Sequence, residues 1–304
     1  MPSITAVLSL FRPPQGVVDR VTRLLEQVDH VVAVDDSPAP ATPGPVHEAL
    51  RALGVEVVVL GENRGIAHAL NVGVATARTA DPAAWIMTLD QDSTLAPGFV
   101  SGSLAAFDAA LAAGVPVGAV CPEKLGDVPT PDEGERDGFS LAYDPIQSGM
   151  VLPPSTLADC GPFREDYFID AVDSEYTLRM RSHGLRVVRA PGVRLEHEMG
   201  EPRPMRFLGS QLTFQGKPAH VPYEAPFRVY YIARNMLTLS REYRRAFPDW
   251  LARRWKAEVL HGTARALWGP HRFKIVLATL CGARDHLRGT SGRIPARLAR
   301  RLAV

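Results

Sequence analysis

Cysteine is scarce: Cys121, Cys160 and Cys281 are the only three in 304 residues. They form no CxxC pair, and an odd number cannot all pair within one chain. This favours buried thiols in a reducing cytoplasm over a disulfide or zinc framework. No apolar run reaches the roughly 18 to 20 residues of a membrane span. The start, MPSITAVLSLFRPP, has no basic leader and no small-residue cleavage site. It reads as a first strand, not a signal peptide. No GxGxxG, Walker loop or GxSxG occurs, which argues against a dinucleotide oxidoreductase, a P-loop enzyme and an α/β-hydrolase. LSLFRPPQG also lacks the Gly-rich, Arg/Lys-containing loop of a nucleotidyltransferase.

Net charge is nearly absent too, at +1, but it is unevenly spread. Residues 241–304 carry 15 basic and 4 acidic side chains, a balance of +11, which leaves −10 on the first 240. An acidic body with a basic tail implies that the tail meets something anionic. Nothing resembling an RNA- or DNA-reading motif accompanies it, so no nucleic-acid partner is expected. With 46% hydrophobic and 22% charged residues the composition is that of an ordinary globular protein.

The first ~120 residues alternate β-rich apolar runs with amphipathic segments. ITAVLSLF, HVVAVDD, VEVVVL, AAWIMTLD and VPVGAVC read as strands. Helices are predicted at 16–28, 46–53, 65–80 and 97–113, with Pro38, Pro40, Pro43 and Pro45 breaking the chain before the second. The fold class is therefore α/β: a mostly parallel, Rossmann-like sheet with helices on both faces. Such sheets bind ligands at the carboxyl ends of their strands. Residues 122–146, rich in Pro, Gly and acids, read as a loop. A helix over 172–183 and strands LRVVRA and VRLEHE follow. Residues 203–226 read as irregular, and the remainder as helices at 230–243, 250–268 and 273–287. The predicted division is a catalytic domain of residues 1–240 and a basic helical C-terminal extension of residues 241–304.

Polar residues gather where the strands end. LDQDS places Asp90 and Asp92 beside one pocket, a carboxylate pair that suits Mg²⁺ or Mn²⁺, though a polar turn capping the next helix has the same residues. Asp173 and Glu175 open a helix, where the dipole favours carboxylates and a general base could stand. His197, between Glu196 and Glu198, is either a metal ligand or a surface histidine. In GENRGIAHALNVG, Asn63, Gly65, Asn71 and Gly73 open a helix, where glycine permits close backbone approach.

Taken in order, VDDSP, ENRGIAHALNVG, LDQDS, QSGMVL, YFIDAVDSEYTLRMRSHG, LEHE and YYIARNML resemble the family 2 glycosyltransferases of the GT-A fold, from about residue 4 to 240. The DQDS form, with FIDAVDSEY, is most similar to bacterial rhamnosyltransferases that use dTDP-L-rhamnose. The resemblance implies an inverting hexosyltransferase. Ser9 and Phe11 would wrap the base, and Asp35 and Asp36 would contact base and ribose. Asn63 and Gly65 would border the nucleotide. Asp92 would hold the metal with His197, and Asp90 the ribose or the metal-bound water. Ser148 and Gly149 would lie near sugar and acceptor, and Arg234 with Asn235 near the diphosphate. Asp173 would be the base and Glu175 the acid after it. The family's Glu-Asp-x-Asp has Val172 in its first place here, which keeps Asp170 as the alternative base.

The implied donor is a nucleotide sugar, and the acceptor a saccharide or lipid-linked hydroxyl in polysaccharide biosynthesis. The alternatives are UDP-galactofuranose or a UDP-hexose as donor, or a nucleotide-sugar-binding protein without turnover. The tail mixes Arg and Lys with Trp250, Leu251, Trp255 and Leu260. It either contacts a membrane peripherally, on the cytoplasmic face, or packs on the body.

Overall fold

The computed structural model describes residues 2–39, 44–197, 203–207, 210–214 and 216–303. Pro40, Pro43 and Glu198, singled out above, lie outside the described residues. The chain forms two compact units. The first comprises Met1–Glu165 and Val172–Glu198, the second Asp166–Ala171 and Met199–Val304.

The first unit begins with β1 (Ile4–Leu10), α1 (Val17–Leu24), β2 (His30–Asp35), α2 (Pro45–Ala52), β3 (Glu56–Val59) and α3 (Ile66–Ala80). Next come β4 (Trp85–Asp90), β5 (Ser93–Leu95), α4 (Phe99–Ala112), β6 (Val117–Leu125), β7 (Val128–Pro129), β8 (Asp132–Arg136) and β9 (Phe139–Ala142). β10 (Met150–Leu152), α5 (Pro154–Cys160), α6 (Val172–Ser182) and β11 (Arg186–His197) complete it. The strands form one 11-stranded sheet whose central path runs β3-β2-β1-β4-β10-β6-β11-β9-β8. β3, β2, β1 and β4 are parallel, as is the pair β6 and β11, while β10 is antiparallel to both its neighbours. The apolar runs of β1, β2 and β4 are buried on both faces, as a helix-covered sheet requires.

Gly73 is where α3 meets the sheet. A Cβ there would lie 2.3 Å from Val7 Cγ1 and 3.2 Å from Val34 Cγ2. Its role is thus close helix–sheet packing within α3.

Residues 122–146 depart from the predicted loop. β6 extends to Leu125, and β8 and β9 pair as an antiparallel hairpin. The turn is Asp137-Gly138, both at positive φ (52° and 82°), the conformation two-residue hairpin turns demand. Arg181 holds the hairpin base, donating to Glu133 and, at 2.9 and 2.7 Å, to the carbonyls of Ala142 and Tyr143. The two strands expected after α6 are one, β11, with an irregular register between Ala190 and Arg194 at Pro191-Gly192. Gly192 has φ +75°, so the turn-like dipeptide bends the strand without ending it.

The second unit contains α7 (Pro226–Tyr243), α8 (Pro248–Trp268), α9 (Arg272–Leu287) and α10 (Ala296–Leu302), preceded by three two-stranded ribbons. The boundary expected after residue 240 falls inside α7. Phe168, Tyr230, Tyr231, Ile275, Leu298 and Leu302 make its core. Gly282 lets α9 approach α7, since a Cβ there would sit 2.5 Å from the Tyr230 carbonyl. Trp250 is buried, and Trp255 donates its indole N–H to Ser240 Oγ at 2.7 Å. Both tryptophans are therefore packing residues within the helical unit. Among the described residues no helix is long and apolar enough to cross a membrane.

Candidate metal and nucleotide site

Asp90 closes β4, and β5 starts at Ser93. β5 pairs antiparallel with the end of β11, His197 opposite Ser93. That pairing brings a histidine distant in sequence to the two aspartates. Ligand atoms of Asp90, Asp92 and His197 all lie within 4.8 Å of one another. His197 Nδ1 is 3.3 Å from Asp92 Oδ1 and 3.0 Å from Ser93 Oγ.

Burial, reinforced by the neighbouring charge of Asp92, pushes the Asp90 carboxyl up to about 6. Burial acts on Asp92 as well, but the His197 imidazole outweighs it and holds that carboxyl below the ordinary range. Asp90 Oδ1 accepts from Gln147 Nε2 at 2.6 Å and from Ser9 Oγ at 3.3 Å. Asp92 Oδ1 is buried and accepts no hydrogen bond among the described residues. That oxygen faces the His197 imidazole, at 3.3 Å, and two carboxylates with an imidazole are a donor set that fits a divalent cation.

The surrounding bonds are scaffolding. Ser148 is fully buried; its hydroxyl accepts from the Asp90 amide at 3.0 Å and meets Ser93 Oγ at 2.8 Å. It thus acts on the aspartates from beneath. Gly149 has φ +80°, and a Cβ would meet Phe99, Leu195 and Pro122 at 3.1 to 3.3 Å. Gln91, between the two aspartates, pairs with the backbone of Phe11 through both ends of its amide, at 3.0 and 3.1 Å. This fixes the loop after β1, on which the Phe11 ring is 41% exposed. Gln91 and Gln147, within LDQDS and QSGMVL, have no role that their motifs announce. The only signal for Gln91 was its place inside DQD.

Asp35 and Asp36 end β2 and are buried. Asp35 accepts from the Ser37 amide (2.9 Å) and hydroxyl (2.5 Å) on one oxygen, and faces His47 Nε2 at 2.7 Å with the other. Asp36 accepts from the amides of Arg64 (2.7 Å) and Gly65 (2.8 Å). Each of the four carboxylate oxygens is thus occupied by the protein itself. Their observed work is to hold α2 and the α3 entry, where Gly65 has φ +95°. Asn63 is half-buried on that turn. Asn71 and His68 on α3 bind Glu165, at 3.0 and 2.9 Å.

Asp173 is half-buried in the first turn of α6, with Oδ1 accepting from the Ser174 amide at 2.9 Å. Ser174 Oγ donates to Asp144 at 2.8 Å. The stretch 144–149 thereby ties the start of α6 to Asp90. Glu175 is buried and bonded through both oxygens to Arg179, whose guanidinium also donates to the carbonyls of Cys160 and Pro162 at 2.7 Å. It is a structural ion pair.

Arg234 and Asn235 belong to the second unit and are buried there. Arg234 donates to the carbonyls of Tyr167 (3.0 Å), Asp166 (3.3 Å) and Gly292 (2.6 Å), and Asn235 to those of Tyr167, Ile169 and Asp170 at 2.8 to 2.9 Å. They secure a segment in which Phe168, Asp170 and Ala171 all have positive φ. Holding a strained backbone is their observed work. Asp170 is ion-paired with Arg228 at 2.5 Å, and burial raises its carboxyl.

Comparison with known proteins supports a glycosyltransferase. The model for Glycosyl transferase family 2 matches residues 7–143. The dTDP-rhamnosyl transferase RfbF of Shigella flexneri is 27% identical over 255 residues, 79% of this chain and 80% of that protein. Among solved structures, S. aureus TarS superposes with a TM-score of 0.57 at 14% identity, over 97% of this chain and 50% of that one. GalNAc-T7 with UDP, GalNAc and Mn²⁺ gives 0.56 at 11%, over 95% and 56%. The chain thus spans about half the length of these two, and at such identity they speak for the fold alone. With the GT-A architecture in the sheet, the family 2 domain over residues 7–143 and a rhamnosyltransferase relative along most of its length, the chain is a glycosyltransferase.

Proposed function

We propose that the protein transfers L-rhamnose from dTDP-L-rhamnose to a hydroxyl of a saccharide or lipid-linked acceptor, with inversion, in the cytoplasm. The donor follows the similarity to RfbF. The observation that carries the reading is the Asp90–Asp92–His197 cluster, set at the strand ends with its ligand atoms within 4.8 Å of one another.

Mg²⁺ or Mn²⁺ at Asp92, His197 and Asp90 would neutralise charge on a diphosphate leaving group. The exposed Phe11 ring, fixed by Gln91, offers the donor base a stacking surface beside Ser9. Asp173 would take the proton of the acceptor hydroxyl as it attacks the anomeric carbon, so one displacement inverts the configuration. One feature favours Asp173 over Asp170: the Asp170 side chain is only 8% exposed and is ion-paired with Arg228. Asp35, Asp36, Asn63, Gly65, Ser148, Gly149, Glu175 and Arg234 are assigned to positioning.

Titration calorimetry with dTDP-, UDP- and GDP-sugars, with and without Mn²⁺, followed by product detection, tests the reading. We expect dTDP-L-rhamnose to bind most tightly, in a metal-dependent way, and to yield an α-linked product. A preference for UDP-galactofuranose or a UDP-hexose would replace the donor, and binding without turnover would remove the enzyme reading. Asp173→Asn should bind donor normally and lose transfer by about 10²–10⁴-fold; near-normal turnover would refute the base.

A further inference from the structure

α9 is apolar on both sides. Its inward face packs Ile275, Ala278 and Cys281 into the core of the second unit. Its outward face carries Phe273, Val276, Leu280 and Leu287, exposed by 84, 45, 64 and 83%. With Ala283 these recur at intervals of three and four residues, so they form one stripe along the helix. A helix apolar all round ordinarily lies inside a protein core or against lipid. The far side of this one is largely open to solvent, Phe273 and Leu287 most of all. α8 adds Val259, Leu260 and Leu267, at 60, 66 and 50% exposed.

The borders of the α9 stripe are cationic. At 3.6 residues per turn, Arg284 and Arg288 run beside Phe273 and Leu280, and Arg272 lies on the opposite margin. All three are exposed. The acids of these helices are largely neutralised at home. Asp285 is buried against Tyr230 Oη and Arg284. Glu258 is paired with Arg254 and Arg265. From His286 to the end there is no acidic residue, while five arginines follow.

We propose that the outward face of α9 is an interfacial membrane contact: Phe273, Val276, Leu280 and Leu287 enter the headgroup–acyl boundary, and Arg272, Arg284 and Arg288 meet anionic headgroups. Apolar residues flanked by long cationic side chains match both layers of that boundary. A second copy of the chain fits the face less well, because two such faces would bring like charges together. The surface shares no residue with the proposed transfer site, so its test needs neither donor nor acceptor.

The full chain is sedimented with vesicles of phosphatidylglycerol and phosphatidylcholine, and with phosphatidylcholine alone. Preferential binding to the anionic vesicles is expected, weakening as salt rises. Arg272→Glu with Arg288→Glu should cut affinity by at least roughly fivefold per residue, roughly 30-fold together. Phe273→Ser, Leu280→Ser and Leu287→Ser together should abolish sedimentation while leaving circular dichroism and thermal unfolding unchanged, because all three side chains are already solvent-exposed. Failure of the wild type to bind anionic vesicles, or equal binding by the triple variant, overturns the proposal. So does light scattering that shows a dimer which the triple variant converts to monomer.

Discussion

Replacing Asp36 with Ala would remove the acceptor for two backbone amides at the entry to α3, those of Arg64 and Gly65. Leaving them unpaired should cost about 1–3 kcal/mol, read as a lower midpoint in urea, with donor affinity falling because the loop loosens. Gly149→Ala combines positive φ with three contacts tighter than normal packing; about 1–3 kcal/mol of destabilisation is expected from overpacking alone, measured by thermal unfolding. Asp92→Ala acts differently: stability should hold while Mn²⁺-dependent donor binding is lost, which calorimetry separates. The cluster of Asp90, Asp92 and His197 was legible, because DQD and LEHE stand at strand ends. What each buried polar residue touches was not. Asp35, Asp36, Ser148, Glu175 and Arg234 are all polar residues at informative places. Only three-dimensional neighbours reveal that they bond to amides, hydroxyls, carbonyls, one histidine and one arginine.

Elements show the same divide between local and distant information. β1, β2, β4 and α3 could be read from uninterrupted apolar runs and helical spacing, since each signal lies within its own residues. The β8–β9 hairpin was hidden by composition, because DEGER is polar and lies at the sheet edge, and FSLA is an apolar run of only four residues. Its local signal was Asp137-Gly138, the dipeptide that the tight turn requires. Gly138→Val should therefore cost about 1–2 kcal/mol per forced left-handed residue, seen as faster amide exchange across 132–142 with the rest of the sheet unchanged. Arg181→Ala should release the same hairpin by leaving two carbonyls and Glu133 without their donor. Pro191-Gly192 misled in the other direction, since a turn-like pair can sit inside a continuous strand.

For the molecule as a whole, the charge divides more cleanly by structural unit than by the boundary at 240. The second unit holds 20 basic and 8 acidic residues, a balance of +12; the first holds 14 and 25, a balance of −11. A protein of net +1 should therefore bind both cation and anion exchangers near pH 7 at low salt. Release is expected near physiological ionic strength, where the screening length is about 8 Å; passage through both columns would contradict this picture of two opposed surfaces.

The short segment Asp166–Ala171 gives that division a further meaning. It belongs to the helical unit, although the residues before and after it belong to the sheet. The polypeptide is threaded through both units more than once, so neither is a cassette that a single cut could free. Phe168 stacks on Tyr231 with ring centres 5.1 Å apart, and Asp170 pairs with Arg228. A fragment ending at residue 198 would strand an aromatic ring and a buried acid with nothing to meet. One ending at 240 would sever α7 and forfeit α9, whose Asp285 accepts from Tyr230 Oη. Exchanging the helical half between relatives to alter acceptor choice or location would therefore need two grafts, the long tail and the six-residue thread.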